Sequence, residues 1–279
     1  MFLKFIVCLL AGLGAGVGTG LAGLSAAAVI SPMLITFLGM NAFDAIGIAL
    51  ASDVLASGVS AYTYGKNKNL DIKNGKYILI SVLIFTVIGS YISSLVPSHT
   101  MGGFSVAITI ILGIKFIVKP VMKIESNSDS SKSIDISTDD IATSIEISSY
   151  NIQKEENLRK VKSFIAGIPI GFICGFIGAG GGMMMLIIMT TVLRYELKMA
   201  VGTSVFVMTF TALTGAISHF SISGGLPDLL SLFLCVVFTL IGAQGAAKFA
   251  NSASSEKQNK ITGYVLLGLG ILMAISSIL

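Results

Sequence analysis

The stretch Gly178-Ala179-Gly180-Gly181-Gly182 interrupts a long apolar region and is followed at once by Met183-Met184-Met185-Leu186-Ile187-Ile188-Met189. Each glycine costs about 1 kcal/mol relative to alanine in a helix interior, so a run this dense ends one helix and starts another. At membrane depth, bare backbone is tolerated only where protein buries it or where it lines a polar cavity. The restarting helix would turn free N–H groups and the positive end of its dipole into the protein, where an anion is favoured. The same glycines also suit plain close packing of two helices. A second copy of the pattern favours the break.

Membrane depth follows from the rest of the chain. Of 279 residues, 54% are hydrophobic and only 11% are charged, and several apolar runs reach the roughly 18 to 20 residues that cross a bilayer. An all-α polytopic membrane protein is expected, with the lipid bilayer as a partner. The net charge of +4 resides mostly outside the apolar runs and speaks to orientation; no basic patch interleaved with aromatics points to nucleic acid. Cys8, Cys174 and Cys235 lie inside apolar runs without C-x-x-C spacing and read as packing residues, so neither a disulfide nor a metal site is expected. Lys4 ahead of Phe5 to Ala15 has the look of a signal peptide, but residues from 11 onward belong to a repeat that cleavage would break.

Sliding the chain by 155 positions superposes residues 11–64 on 166–219 without a gap, matching Gly12, Gly16, Gly20 and Gly23 to Gly167, Gly171, Gly175 and Gly178. Duplication is expected, with about five apolar segments per half: 2–22, 25–39, 43–64, 76–97 and 101–121, then 163–179, 182–194, 198–220, 228–249 and 260–279. The second of each five is too short to span, so each break makes either a re-entrant hairpin or two tilted short helices. The expected division is a first transmembrane repeat at 1–121, a hydrophilic linker at 122–162 and a second repeat at 163–279.

An odd number of segments per half predicts that the halves insert upside down relative to each other. Alternating the loops puts Lys66, Lys68, Lys73, Lys76, the linker, Arg194, Lys198, Lys248, Lys257 and Lys260 on one side, and Asp44, His99 and Asp228 on the other. That is a positive-inside partition; it predicts a cytoplasmic linker and two external termini, with Lys4 outside. The linker has isolated isoleucines and no core-forming density, and reads as a solvated tether or a small partner-binding element.

In the first half the break falls at Gly18-Thr19-Gly20-Leu21-Ala22-Gly23-Leu24-Ser25. Residues 18–23 spell G-x-G-x-x-G, but no strand precedes them in an α/β pattern, so a dinucleotide site is set aside. Ser25 is a candidate N-cap for the restarting helix, and Pro32 is expected to kink it. Inverted copies would bring the helix N-termini at about 25 and 182 together near the midplane, the arrangement that secondary transporters aim at anionic groups. The candidate anion site is therefore Gly20, Gly23, Leu24 and Ser25 with Gly180, Gly181, Gly182 and Met183. Glycines at every fourth position, including Gly20, also suit close helix packing.

Asp53 lies deep within the 43–64 run. An ionisable group there is costly and is a functional candidate by default: it either couples transport to a proton or gates the ligand, or it is a structural aspartate satisfied by backbone or serine, with Ser52 and Ser57 nearby. Thr203 and Ser204 can offer hydroxyls to an anion or bond back to their own helix. Gln244 can donate an amide hydrogen to the ligand, while Tyr64 and His219, partners in the repeat, read as interfacial anchors.

Gly178-x-Gly180-Gly181-Gly182 ahead of a short apolar helix, then Ala200-x-Gly202-Thr203-Ser204, His219 and Gly242-Ala243-x-Gly245, resembles the TauE/SafE sulfite exporter family of membrane permeases. The likeness covers roughly 5–120 and 163–279; the first half departs from the family pattern at Leu24-Ser25-Ala26-Ala27-Ala28 while keeping Pro32. The resemblance implies transport of sulfite or a small organosulfur anion across the bacterial inner membrane, coupled to an ion gradient. No HExxH, Walker A, nucleophile elbow or carboxylate pair supports an enzyme, and no cofactor is expected. The expectation is an alternating-access exporter coupled to a proton through Asp53, with oligomeric state open; the rivals are a channel for anions or small neutral solutes and a non-transporting membrane scaffold.

Overall fold

The structure, a computed structural model, describes residues 1–97, 160–178, 181–191, 193–225 and 227–254, with scattered positions between 256 and 271. Every element among the described residues is a helix: α1 (Phe2–Ala22), α2 (Ala27–Leu38), α3 (Ala42–Lys66), α4 (Ile72–Ser94), α5 (Lys160–Ile177), α6 (Gly181–Thr191), α7 (Leu197–Ser223) and α8 (Leu229–Ser252). Helices α1, α3, α5, α7, α8 and the Gly75–Ser94 part of α4 are long and apolar enough to cross a membrane. The chain is an all-α polytopic membrane protein. The expected segment 101–121, His99, nearly all of the linker 122–162 and most of 260–279 lie outside the described residues.

Small residues dictate how the helices meet. A side chain at Gly12, Gly16 or Gly20 would strike α8 at Phe238 and Thr239, at Thr239 and Ala243, or at Ala243 and Ala247. The same holds one repeat later. Gly167, Gly171 and Gly175 lie against Ile78 and Ser81, Val82 and Phe85, and Thr86 and Ser90 of α4. Numbers rise together on both sides of each contact, so α1 runs parallel to α8 and α5 runs parallel to α4. The duplicated glycine stripes are therefore packing faces, each seating a break-bearing helix of one half against the last described helix of the other.

The directions of the remaining helices follow from their ends. Lys4 of α1 pairs with Asp228 at the start of α8, and Ser223 at the end of α7 donates to Asp44 near the start of α3, at 2.8 Å. Helices α1, α3 and α8 thus begin at one end of the bundle. At the other end Asn69, after α3, donates to Asn251 of α8 at 2.9 Å, and Lys198 of α7 donates to the Asn251 carbonyl at 2.8 Å. Because α1 and α3 start on the same side, α2 is the return stroke of a re-entrant hairpin, and α6 returns likewise between α5 and α7. The alternative of two short tilted helices does not describe α1, which is 21 residues long.

Helices α3 and α7, which correspond in the repeat, lie against each other antiparallel: Gly47 meets His219 and Phe220, Gly58 meets Thr209, and Gly215 meets Leu50. Lys66, Lys68, Lys73, Lys76, Arg194, Lys198 and Lys248 stand at the end where α3 and α8 finish. Asp44 and Asp228 stand at the opposite end. Lys4, at the same end as these acids, is paired with Asp228.

Candidate functional site

Both long helices that precede a short one stop for the same local reason. Gly23 and Gly178, equivalent in the repeat, adopt left-handed backbone conformations with φ of 64° and 73°, which close a helix and which a Cβ disfavours. The Gly23 N–H donates to the Thr19 carbonyl and the Gly178 N–H to the Cys174 carbonyl, both at 2.9 Å. One turn earlier, the carbonyls of Gly20 and Gly175 sit where the helix is about to run out of donors. Tyr64 Oη donates to the Gly20 carbonyl at 3.1 Å, and His219 Nε2 lies 3.0 Å from the Gly175 carbonyl.

Tyr64 and His219 are thus not interfacial anchors. Both are buried, and each clamps the last turn before its own break, because a carbonyl without an acceptor's partner is expensive away from water. His219 also places Nδ1 3.2 Å from the Phe43 carbonyl. A neutral imidazole can donate only one of these two bonds.

The two breaks touch. The N-cap of α2 is Ala26 rather than the expected Ser25; Ser25, one residue earlier, accepts from the Ala27 N–H at 3.3 Å and donates its proton to the Gly178 carbonyl of the other half at 2.9 Å. A Cβ on Gly182 would fall on the Gly23 carbonyl oxygen and close to Ser25 N. One on Gly23 would strike Ser204 Oγ. Gly23, Leu24, Ser25, Gly178, Gly181 and Gly182 are all buried. Open cavities of about 390 and 340 Å³ lie at the two ends of the bundle, around Asp44 and Ser223 and around Asp71 and Tyr195, and no break residue lines either.

Asp53, near the middle of α3, is fully buried beside this contact. Thr19 Oγ1 lies 3.5 Å from Oδ1, Ser25 and the Ala26 N–H are its further polar neighbours, and Oδ2 has no hydrogen-bond partner among the described residues. Ser57, expected as a candidate partner of the Asp53 side chain, instead bonds to the Asp53 backbone carbonyl at 2.5 Å, and Ser52 bonds to Ile48.

The other residues singled out from the sequence divide. Ser204 reaches the breaks but spends its proton on the Val201 carbonyl at 2.8 Å, and Gly20 packs on α8. Thr203 Oγ1 instead accepts from the Asp71 N–H at 3.0 Å, near the lysine-rich end. Gln244 is exposed on α8. Gly180 lies outside the described residues, and Met183 is placed in α6 by its backbone. Thr19 was not singled out, because a threonine in a glycine-rich helix carries no signal until its neighbour across the bundle is known. Among the described residues no group of His, Cys, Asp and Glu could hold a metal, and the three cysteines are free and buried.

Comparison with known proteins agrees with this architecture. The family model described as sulfite exporter TauE/SafE matches residues 8–273. A probable membrane transporter protein of Bacillus subtilis, YunE, is 29% identical over 260 residues, 88% of each chain. A second from the same organism, YdhB, is 23% identical over 241 residues, covering 85% of this chain and 86% of its own. No solved structure matches. A match of the family model over nearly the whole length, on a bundle of membrane-spanning helices with duplicated glycine breaks, means that the chain belongs to the sulfite exporter TauE/SafE family of membrane transporters.

Proposed function

We propose that this protein is a secondary active transporter that exports sulfite or a small organosulfur anion across the bacterial inner membrane. The anion would bind where the two breaks meet, between Gly23–Ser25 and Gly181–Met183, and move by alternating access of two inverted repeats. The observation that carries this reading is the buried contact of Ser25 with the Gly178 carbonyl and of Gly182 with Gly23. It joins two helix starts, α2 and α6, from opposite halves. Free N–H groups and aligned dipoles at such starts favour anions. The antiparallel packing of α3 on α7 supports an inverted relation between repeats 1–121 and 163–279. The gathering of lysines at one end supports a cytoplasmic linker at 122–162 and external termini.

Burial of Gly23–Ser25, Gly178, Gly181 and Gly182 at the contact fits an occluded stage of a transport cycle better than an open channel. The test is flux of sulfite, thiosulfate and sulfonates in proteoliposomes with an imposed pH gradient. Saturable flux that responds to the gradient supports the transporter; flux that neither saturates nor couples makes the protein a channel. Gly181→Leu, whose side chain would press on Cys174, is expected to abolish anion binding, and normal affinity in that variant would exclude the pocket. Deleting 126–157 is expected to leave flux intact, whereas loss of all function with that deletion favours a scaffold.

A further inference from the structure

The start of α2 already faces a carboxyl group, and that group belongs to the protein. The Ala27 N–H is taken by Ser25 Oγ and the Ala28 N–H by the Ser25 carbonyl, which leaves the Ala26 N–H beside the Asp53 carboxyl. Asp53 is wholly buried and its Oδ2 has no partner among the described residues. A carboxylate so placed is compensated only by neutral groups: the Ser25 hydroxyl, the Ala26 helix end and one long contact from Thr19.

Resting on the transport site proposed above, we propose that Asp53 is a resident stand-in for the transported anion. Ionised, it holds the N-terminus of α2; protonated, it yields that helix end, so that one proton and one substrate anion are bound together and released together.

The reason is charge. From α1 the carboxyl meets Thr19, from the first break Ser25 and Ala26, and from its own helix no charged group. The Cys174 thiol of α5 is near enough for the charge of Asp53 to act on it. No lysine, arginine or histidine among the described residues compensates the carboxyl. A substrate anion at the same helix end would put two like charges within a few ångströms in a buried interior, where each raises the cost of the other steeply. A proton on Asp53 removes that repulsion. It also turns the unpartnered oxygen into an O–H donor that can point at the incoming anion. The proton comes from water when the anion binds and returns to water when it leaves, so no covalent step is involved. For a monovalent anion the co-transport is electroneutral, and its direction then follows the combined anion and proton gradients without drawing on the membrane potential.

The test is binding of methanesulfonate, whose own charge does not titrate, to the purified full chain, with proton uptake counted by a pH indicator in weak buffer. Sulfite, corrected for its own protons, serves as a second probe. The expected result is about one proton taken up per anion, with affinity falling tenfold for each pH unit above the titration of Asp53, as linkage requires. Asp53→Asn is expected to bind with no proton uptake and with an affinity independent of pH. Anion binding to the unmodified protein without proton uptake, or proton uptake that survives in Asp53→Asn, overturns the proposal. The proton count on the unmodified protein decides even if the variant does not fold. Failure of both anions to bind at any pH is a different result, because it removes the site between the breaks itself.

Discussion

At Gly182 a single hydrogen separates a fitting backbone from a collision. A Cβ there would land on the Gly23 carbonyl oxygen, an atom held by its own left-handed turn and unable to yield. Gly182→Ala is expected to lower stability in detergent by about 1–3 kcal/mol, the usual cost of overpacking, and to stop transport. Gly245→Ala is its control: nothing lies within 4 Å of the added carbon, so helix propensity alone acts and the melting temperature should hold or rise. Ser25→Ala removes one bond to the Gly178 carbonyl and one from the Ala27 N–H. It is expected to cost about 1 kcal/mol and to slow transport, and thermal melts with flux assays check both. The Gly182 effect was legible in the sequence as a glycine run; the partner it protects was not, since Gly23 lies more than 150 residues away in the chain.

Among the elements, α1 on α8 and α5 on α4 are the same joint made twice. Gly16→Leu and Gly171→Leu are therefore expected to destabilise to similar degrees, each forcing apart two helices whose backbones are in contact. Unequal losses in parallel melts would mean that the halves do not share the load. The joint of α1 with α8 also carries a charge pair at its outer end. Burial alone would raise the Asp228 carboxyl, but bonds from Lys4 and Ser231 outweigh it and hold its pKa below the ordinary 3.8. A carboxyl lowered on folding stabilises the fold at pH values above its unfolded value, and the stabilisation is lost as pH falls through the lowered one. Both partners are about a third exposed, at 32% and 31%, so the effect is expected to be small. Detergent melts at neutral pH and below pH 3.8 should show a drop in the unmodified protein that Asp228→Asn lacks.

For the molecule as a whole, the segregation of charge makes a directional prediction. With Leu95→Cys at the acidic end and Lys257→Cys on the lysine-rich side, a maleimide that cannot cross the membrane is expected to label the first in intact cells and the second only after lysis. The three native cysteines are buried and give a low background. The reverse pattern would turn the protein over in the membrane and put the linker outside. The order of the described helices and the positions of both short ones were readable from apolar runs and glycine spacing. So was the likeness of the halves, because 155-residue spacing brings identical small residues to identical packing tasks.

What the amino-acid order determined by itself was local: which runs enter a bilayer, where a helix cannot continue, and which faces are small enough for backbones to approach. These follow from transfer free energies and from steric costs paid within a few residues. Only the tertiary structure decided which ends meet. It set Ser25 on the Gly178 carbonyl, turned Thr203 to Asp71 and Gln244 outward, and made clamps of Tyr64 and His219 where surface anchors had been expected. It also set Asp53 against the start of α2. Such choices depend on the register between helices far apart in the chain, where one residue's shift rotates a side chain about 100° around its axis, and no local pattern encodes that rotation.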